Sequence, residues 1–532
     1  MADDTNSENG RSFVLRAAGL VGIFFLLARV LGLVREVITQ SFLGTQTPAA
    51  NAYALAIQFP DAIFFVIAGG ALGSAFIPTF SAYFVNEDEA GGWALFSGVL
   101  NLLMVTLIVV TGLTAVFAPQ FVTLFFQQKI AEQPEILPET VRLMRIMLIS
   151  TIIFGFGGLI TGVLHAHQHF LFPAIAPILY NLFIIIFGFL IDPPQLGLAI
   201  GAVVGSLAYL LVQLPTLIQK GVQYSFLLSL TDPGIRKVLR LMGPRVLGLS
   251  FSRLNTFVIT ALTGRFAILE NGSFAALMVA FRVMLLPQGI IGQALGTAAF
   301  PTLSALAAKQ NYEEMRKILN DSLRIIYFLG LPISIMFMLL SRPIMQILFE
   351  RGEFTAVSTQ FSAWGLSFFA IGLFAITALE VINRTFYALS DTWTPVIAGA
   401  IQIVGMVILS TWFSLSLFPA LNLLPLGGIA LGLSLSNLLE VILLWFLLRR
   451  KMGGLNGRYF LQGVWQMSIA GAGMAGIILL LQRTVLGQAP AWIDLVVNGI
   501  IGSGIYLFII MILKVPELRQ FLALIQRRLL RR

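Results

Sequence analysis

Long apolar runs dominate this sequence and restrict it to very few folds. A helix needs about 20 apolar residues to cross the hydrocarbon core of a bilayer. Fourteen runs of that kind, separated by glycine, proline or charge clusters, follow one another along the 532 residues. We therefore predict an all-α polytopic membrane protein with about 14 transmembrane helices. The predicted spans are 14–41, 50–84, 92–118, 139–164, 171–191, 196–218, 236–264, 273–306, 317–340, 358–388, 395–417, 426–448, 460–482 and 491–513.

Composition excludes the soluble classes of protein. Hydrophobic residues make up 58% of the chain and charged residues only 11%, against roughly 25% charged in soluble domains. The chain contains no cysteine, so disulfides, thiolate metal sites and cysteine nucleophiles are excluded together. Residues 1–13 are polar and lack the basic stretch of a secretory signal peptide, so we expect the first span to be retained.

Basic residues predict the orientation. With the N-terminus in the cytoplasm, the cytoplasmic segments carry 19 lysines and arginines and the opposite loops carry five. Because cytoplasmic loops are enriched in Lys and Arg, both termini are predicted to be cytoplasmic, which requires an even number of spans. The same segments account for the net charge of +9 without a nucleic-acid partner.

The sequence repeats itself internally. Residues 69–82 recur as residues 292–305, at an offset of 223. Two shorter matches follow in the same order: 164–166 with Pro173 against 386–388 with Pro395, and 198–201 against 429–432. For the last match, at offset 231, shared glycine and alanine composition is an alternative explanation. An offset of six helices predicts parallel repeats related by an axis along the membrane normal.

The repeat predicts a domain organisation and a mechanism. Two six-helix lobes enclosing a central cavity would give alternating access, which is typical of a transporter. The predicted segments are a cytoplasmic tail 1–13, lobes 14–218 and 236–448 joined by a linker 219–235, a two-helix appendage 449–513 and a basic tail 514–532. A membrane enzyme would need a catalytic constellation, and no acid/base pair facing a common side is evident in the sequence.

Ionisable residues inside apolar spans indicate a functional cavity, since each costs about 2.5–3.5 kcal/mol there. Arginines outnumber acids among them, and Arg is suited to bidentate contact with phosphate or carboxylate. We therefore predict an anionic substrate, whereas a cation exporter should present buried acids. The residues are Arg29, Arg35 and Glu36 in the first span, Asp61 in the second, Arg245 and Arg253 in the seventh, Arg282 in the eighth, Glu380 and Arg384 in the tenth and Glu440 in the twelfth.

Several of these charges have a second interpretation. Arg35, Glu36 and Arg384 lie near span ends, where a long side chain can reach the interface. Glu380 and Glu440 either neutralise a neighbouring arginine or bind an ion. The histidines at 165, 167 and 169 are predicted to form an interfacial loop, and no metal site is assigned. A phosphate-cradling glycine-rich loop ending in Gly-Lys-Ser/Thr is absent from the sequence.

Several motifs resemble one known family. Residues 28–36 (Ala-Arg-Val-Leu-Gly-Leu-Val-Arg-Glu) resemble a signature of the MurJ (MviN) family of lipid II flippases. Similar matches occur at 70–78, 242–244, 289–301, 352–355 and 386–395. They run in order through both predicted lobes, and the count of fourteen spans agrees with that family.

The resemblance implies a fold, a substrate and a set of site residues. The fold would be that of the MOP exporter superfamily in the bacterial inner membrane, and the activity would be translocation of undecaprenyl-pyrophosphate-linked peptidoglycan precursor (lipid II) from the inner to the outer leaflet. Family substrate contacts would fall on Arg29, Arg35 and Arg282, and the lipid tail on residues 460–513. Some members carry a sodium site, for which Glu380 is the candidate. No cofactor is expected beyond a coupling monovalent cation or the membrane potential, and the expected partners are lipid II, membrane lipids and other cell-wall synthesis proteins.

The chain also departs from that family. Asn51 stands where many relatives carry an acid, Phe64 and Phe65 where they carry basic residues, and Leu285 where an acid often follows the eighth-span arginine. We hypothesise that Arg245 and Arg253 supply the missing positive charge. Three alternative functions stay open: a flippase for another polyprenyl-linked glycan, a multidrug exporter, and a non-transporting scaffold for cell-wall assembly.

Overall fold

The computed structural model describes residues 23–24, 26–68, 76–226, 231–455 and 457–519. The predicted N-terminal tail, the start of the first span, the first half of the 69–82 repeat and the end of the basic tail lie outside the described residues. The described chain is helical, without a β-strand among those residues. Its contacts divide it into two units, Met1–Leu254 and Asn255–Arg532.

The first unit contains ten helices in the described part and most of an eleventh. A π-helical turn, Phe64–Ala68, follows the third of them. The helices are α1 (26–43), α2 (Pro48–Ala56), α3 (Gln58–Ile63), α4 (Ile77–Val85), α5 (Glu89–Val116), α6 (Ala118–Glu132), α7 (Ile136–Ala166), α8 (Leu171–Leu190), α9 (Pro194–Leu211), α10 (Leu214–Gln219) and α11 (Pro233–Arg265), which continues into the second unit.

The second unit is described over ten further helices. A second π-helical turn, Phe413–Leu417, follows the helix Trp393–Trp412. The helices are α12 (Ser273–Ala308), α13 (Tyr312–Leu339), α14 (Ser341–Phe349), α15 (Ala356–Phe369), α16 (Leu373–Ala388), α17 (Trp393–Trp412), α18 (Phe418–Ala420), α19 (Leu426–Lys451), α20 (Gly457–Thr484) and α21 (Ala491–Ile512).

Twelve of the fourteen predicted spans have a counterpart in a helix long and apolar enough to cross a membrane. The first predicted span is described only in part. The seventh is helical as α11 (Pro233–Arg265), but several of its side chains lie outside the described part of the chain, so its fit to this criterion is not tested. The fold class is thus confirmed, and the count of fourteen stays a prediction. Helix α6 was not predicted, because its apolar residues alternate with glutamines and charges.

Capping residues determine where several helices begin. The Thr47 side chain accepts a hydrogen bond from the backbone N–H of Ala50, and Pro48 provides the first residue of α2. Asp88 accepts from the N–H of Gly91 at the start of α5, and Asn311 accepts from the N–H of Glu314 at the start of α13. Each cap satisfies a backbone donor that has no partner inside its helix.

The core of the first unit is aromatic. Phe76 and Phe80 are fully buried and stack with their ring centroids 5.1 Å apart. The ring of His167 lies against Phe84, at 4.7 Å between centroids, and stacks on Trp93 at 6.1 Å. Burial, together with the nearby Lys220, keeps the pKa of His167 below its usual value. A neutral imidazole in an aromatic cluster is a packing residue, and it lies just past the end of α7.

Close helix approaches occur at equivalent places in the two halves. A Cβ atom added to Gly201 of α9 would lie 2.8 Å from the Ile184 Cα of α8. A Cβ added to Gly432 of α19 would lie 2.6 Å from the Ser410 backbone nitrogen of α17. These glycines differ by the offset of 231 seen in the third sequence match, and both let two backbones touch, as small residues do in membrane bundles. The two glycines have the same packing role, and the repeat itself stays a prediction.

Helices α20 and α21 are fixed to α13. The Tyr506 hydroxyl donates to the carbonyl of Phe328 at 2.9 Å, and the Tyr327 and Ser468 hydroxyls are 2.8 Å apart. The Arg324 guanidinium donates to both oxygens of Glu517, with the Nη2–Oε2 distance at 3.0 Å. It also donates to the carbonyl of Tyr459 at 2.9 Å. We call the Arg324–Glu517 pair the C-terminal latch.

Breaking the C-terminal latch from one side should destabilise the fold. Both side chains are at most 4% exposed, so Glu517→Ala leaves a buried guanidinium without its counter-charge. We expect a loss of about 3–5 kcal/mol in the free energy of unfolding, measured by chemical unfolding in mixed micelles. The control is Arg142→Ala, whose 3.9 Å pair with Glu139 is 55% exposed on the arginine side and should cost at most about 1 kcal/mol. Equal losses would contradict a buried latch.

A second prediction concerns Asp391, which lies two residues before the start of α17 and accepts a hydrogen bond from the Thr394 backbone N–H. Burial acts to raise its pKa, but hydrogen bonds from Lys451 and Thr394 outweigh that effect and leave the pKa below its usual value. A carboxylate with a depressed folded-state pKa contributes stability that is present above its unfolded pKa of about 4 and lost as pH falls through the folded value. Wild type should therefore exceed Asp391→Asn in stability by up to about 1 kcal/mol, after solvent screening, from pH 5 to 8. The difference should begin to shrink below about pH 4 and vanish only below the folded-state pKa, and a difference that does not depend on pH would contradict the pairing.

Candidate functional site

Arg29, Arg35 and Glu36 all lie on α1. Arg29 is exposed among apolar neighbours, whereas Arg35 is half-buried and Glu36 is 8% exposed. The Arg35 guanidinium lies over the ring of Tyr180, 5.9 Å from its centroid. The Glu36 carboxylate accepts a hydrogen bond from Gln40 at 3.0 Å, one turn along the same helix.

Arg253 lies on an aromatic ring of the π-helical turn. Its guanidinium carbon is 3.8 Å from the centroid of the Phe65 ring, close enough for a strong cation–π interaction. Asp61, one turn earlier in the same segment, is an electrostatic neighbour of Arg253. The side chain of Arg245 lies outside the described part of the chain.

Tyr180 connects these two arginines. Its electrostatic neighbours are Arg35, Asp61 and Tyr53. The Tyr180 ring also packs on Phe154, at 4.7 Å between centroids, and Phe154 packs on Phe64 at 5.3 Å. The first unit thus brings Arg35 and Arg253 to one polar neighbourhood around Asp61. Tyr180 was not among the predicted site residues, and its only sequence signal is the polar pair that it forms with Asn181 inside a long apolar run.

Phe64 and Phe65 both lie in this aromatic network. Phe65 contacts Arg253 directly, and Phe64 is connected to Arg35 through Phe154 and Tyr180. The hypothesis that Arg253 replaces positive charge lost from the second span stays a prediction. Asn51 is buried, and within the described residues its Oδ1 atom has no hydrogen-bond partner.

In the second unit, Glu380 and Arg384 form an ion pair on α16, with 3.5 Å between Oε2 and Nη2. Both side chains also bond to α12: Gln288 donates to Glu380 at 3.1 Å, and Arg384 donates to the Thr297 hydroxyl at 2.7 Å. This contact forms where residues 292–305 cross α16, because Gly296 leaves room for the arginine. Of the two interpretations of Glu380, the geometry favours a charge partner.

Arg282 and Glu440 lie elsewhere in the second unit. Arg282 is half-buried on α12, five residues before Pro287 interrupts the helix hydrogen bonds. Glu440 is 8% exposed on α19 and lies beside Gly399 of α17, where an added Cβ would be 3.8 Å from its Oε1 atom.

Comparison with known proteins identifies the chain's relatives. A family profile described as "Lipid II flippase MurJ" matches residues 39–492. A probable lipid II flippase MurJ of Vibrio cholerae serotype O1 is 29% identical, covering 94% of this chain and 96% of the relative. A lipid II flippase MurJ of Burkholderia cenocepacia is 27% identical, covering 82% and 84%.

Solved structures with a similar fold include one from the same family and one from a multidrug transporter family. A structure titled "Lipid II flippase MurJ, inward closed conformation" is 25% identical, with a TM-score of 0.75 over 93% of this chain and 98% of that one. An inward-facing multidrug resistance MATE transporter of the MOP superfamily is 14% identical, with a TM-score of 0.63 over 80% of this chain and 98% of that one. At that identity the second likeness concerns the fold alone.

The contact between Arg253 and Phe65 can be tested by a double-mutant cycle. Phe65→Leu and Arg253→Met each remove one partner, and the double variant removes both. We expect a coupling energy of about 0.5–2 kcal/mol in unfolding experiments, because the cation–π contact is partly desolvated. Phe64→Leu is the control, since Phe64 packs on Phe154, and it should show no coupling to Arg253→Met. A zero coupling for Phe65 would mean that the ring does not hold the arginine.

Proposed function

The chain belongs to the lipid II flippase MurJ family, and from that premise we propose that it translocates lipid II across the bacterial inner membrane, from the inner to the outer leaflet. The observation that carries the proposal is the family match along residues 39–492, which spans helices of both units. The proposed activity is transport by alternating access, without covalent chemistry.

The membrane-span arginines fit a diphosphate substrate. A lipid-linked diphosphate carries negative charge through a medium of low polarity, where an uncompensated charge is costly. Guanidinium groups offer bidentate, charge-assisted hydrogen bonds that match phosphate oxygens. In the proposal, Arg29, Arg35 and Arg282 contact the diphosphate, as the resemblance implies.

The neighbourhood around Asp61 adds a role for Arg253. Its guanidinium is held on Phe65 and lies near the carboxylate of Asp61, so it is already oriented before a substrate arrives. We assign Arg253 as a further substrate-binding cation, with Phe65 as its positioning residue. Arg245 keeps the same assignment from its place on α11.

The acids receive different roles. Glu380 balances the charge of Arg384, and Thr297 and Gln288 fix the pair against α12. Glu36 is a charge partner on α1. Glu440, which is buried on α19, is the proposed ion-site residue for transport driven by a monovalent cation. Transport driven by the membrane potential would instead act on the charges of the arginines.

The proposed orientation follows the distribution of basic residues. Arg449, Arg450, Lys451 and Arg458 lie at the same end of α19 and α20, which the positive-inside rule assigns to the cytoplasm. Both termini would then be cytoplasmic. The lipid tail is proposed to lie along α20 and α21, beside the bilayer.

Depletion and complementation test the function. The chain replaces the resident lipid II flippase of a bacterium, and growth and lipid II accumulation are measured after depletion. We expect rescue by wild type and a loss of transport by about tenfold or more for Arg29→Ala and Arg282→Ala, because each removes charge-assisted hydrogen bonds to the diphosphate. Arg142→Ala, an exposed arginine at the start of α7, should rescue fully.

The other outcomes contradict separate parts of the proposal. A correctly inserted wild type that fails to rescue would contradict lipid II as substrate and favour one of the other functions: transport of another polyprenyl-linked glycan, multidrug export or a scaffolding role. Rescue by wild type and by both alanine variants would leave lipid II as substrate but contradict the contacts assigned to Arg29 and Arg282. Failure of Glu440→Gln would then favour coupling to a cation.

A further inference from the structure

A cavity of about 800 Å³ opens between the end of α19 and the start of α20. Its lining includes Trp445 and Arg449 on α19, and Arg458, Leu461 and Trp465 on α20. Leu455, in the connection between the two helices, closes one side. We call this cavity the interfacial pocket. It lies wholly within the second unit and includes none of the arginines assigned to the diphosphate, although Leu461 and Trp465 belong to a helix proposed to hold the lipid tail.

The lining residues form two stripes. Trp445 and Arg449 are four residues apart, so they lie one above the other on α19. Arg458, Leu461 and Trp465 follow the spacing of three and four residues along one face of α20. A turn with positive φ at Gly453 and Gly454 reverses the chain between the helices. Both stripes therefore face the same space.

The pocket is positively charged. Arg449 and Arg458 are exposed, and no acidic residue is present among the described lining residues. Three acids at this end have other partners. Asp391 binds Lys451 at 2.7 Å, Glu517 binds Arg324 in the C-terminal latch, and Asp321 accepts from the Tyr459 hydroxyl at 3.5 Å. The two guanidinium groups are thus available to an external anion.

Apolar side chains line the rest of the pocket, and packing holds one of its walls in place. Trp465 is 69% exposed and Leu461 is 64% exposed, on a helix that is apolar enough to span a membrane. Tryptophan is enriched at the level of lipid headgroups, where its indole has an apolar body and a polar N–H. The Trp445 ring packs on Phe460, at 4.9 Å between centroids, which fixes one wall.

We propose that the interfacial pocket binds the headgroup of an anionic phospholipid of the surrounding bilayer. Arg449 and Arg458 contact the phosphodiester, Trp445 and Trp465 flank the glycerol region, and an acyl chain follows the exposed apolar face of α20. Basic pockets between helices on the cytoplasmic side are suited to anionic headgroups. A zwitterionic lipid carries its own cation, which two arginines repel, so the pocket selects net negative charge.

Native mass spectrometry of the full chain tests this proposal. The protein is released from micelles that contain phosphatidylglycerol or phosphatidylcholine with identical acyl chains, and the dissociation constant of the first bound lipid is measured. Each arginine near an anionic lipid contributes roughly fivefold in affinity. We expect wild type to prefer phosphatidylglycerol about tenfold or more, and the double variant Arg449→Gln with Arg458→Gln to lose that preference.

Arg450→Gln is the matched control. It removes the same charge one residue away, but the Arg450 guanidinium lies over Phe446, 4.6 Å from the ring centroid, and does not line the pocket. The control should keep the preference, and the thermal unfolding of all three proteins should agree because the arginines are exposed. Equal binding of the two lipids by wild type, or an equal loss in the control and the double variant, would overturn the proposal.

A soluble competitor separates a lipid from a free phosphate. Millimolar glycerol phosphate should leave the bound phosphatidylglycerol in place, since it lacks the acyl chain that α20 contacts. Displacement by glycerol phosphate would overturn a lipid site in favour of a phosphate site. Lipid II transport does not enter this measurement, so its result is independent of the proposed function.

Discussion

A charged side chain in an apolar bilayer must be compensated where it lies, and this requirement organises the described structure. Three arginines show two solutions. Arg324 forms an ion pair with Glu517, which lies 193 residues away in the chain, and Arg384 pairs with Glu380 on its own helix and donates to Thr297 of α12. Arg253 instead lies on the face of Phe65, near the Asp61 carboxylate. A ring quadrupole stabilises a cation without removing its charge, which is why the proposed function assigns Arg253 to anion binding.

The sequence predicts the helices far better than the contacts between them. Span existence depends on the length of apolar runs, a local property, and twelve of the predicted spans have counterparts. Arg324 and Glu517 are 193 residues apart, and no local pattern relates them. Their pairing required α21 to return along α13. Helix α6 was not predicted, because with 15 residues and several polar side chains it is too short and too polar to match the pattern of a membrane span.

The candidate site was predictable as a set of charges but not as a geometry. Arg35 and Arg253 were found because arginines inside apolar runs are rare and costly. Tyr180, Phe154 and Phe65, which connect them, are ordinary apolar-span residues until the fold brings them together. The sequence left two roles open for Glu380, charge partner or ion ligand. Residues four apart on a helix can either pair or point into different surroundings, so the role of charge partner could be favoured only once the distance to Arg384 was known.

The π-helical turn at Phe64–Ala68 has an evolutionary consequence. Such a turn accommodates one residue more than an α-helical turn does, which corresponds to about 100° of rotation between the segments on either side. Losing a single codon there would restore a regular helix, yet it would swing Asp61 and everything upstream around the axis by more than a quarter-circle. The segment is therefore more tolerant of a change in residue type than of a change in length, and insertions or deletions should be rarer in it than substitutions.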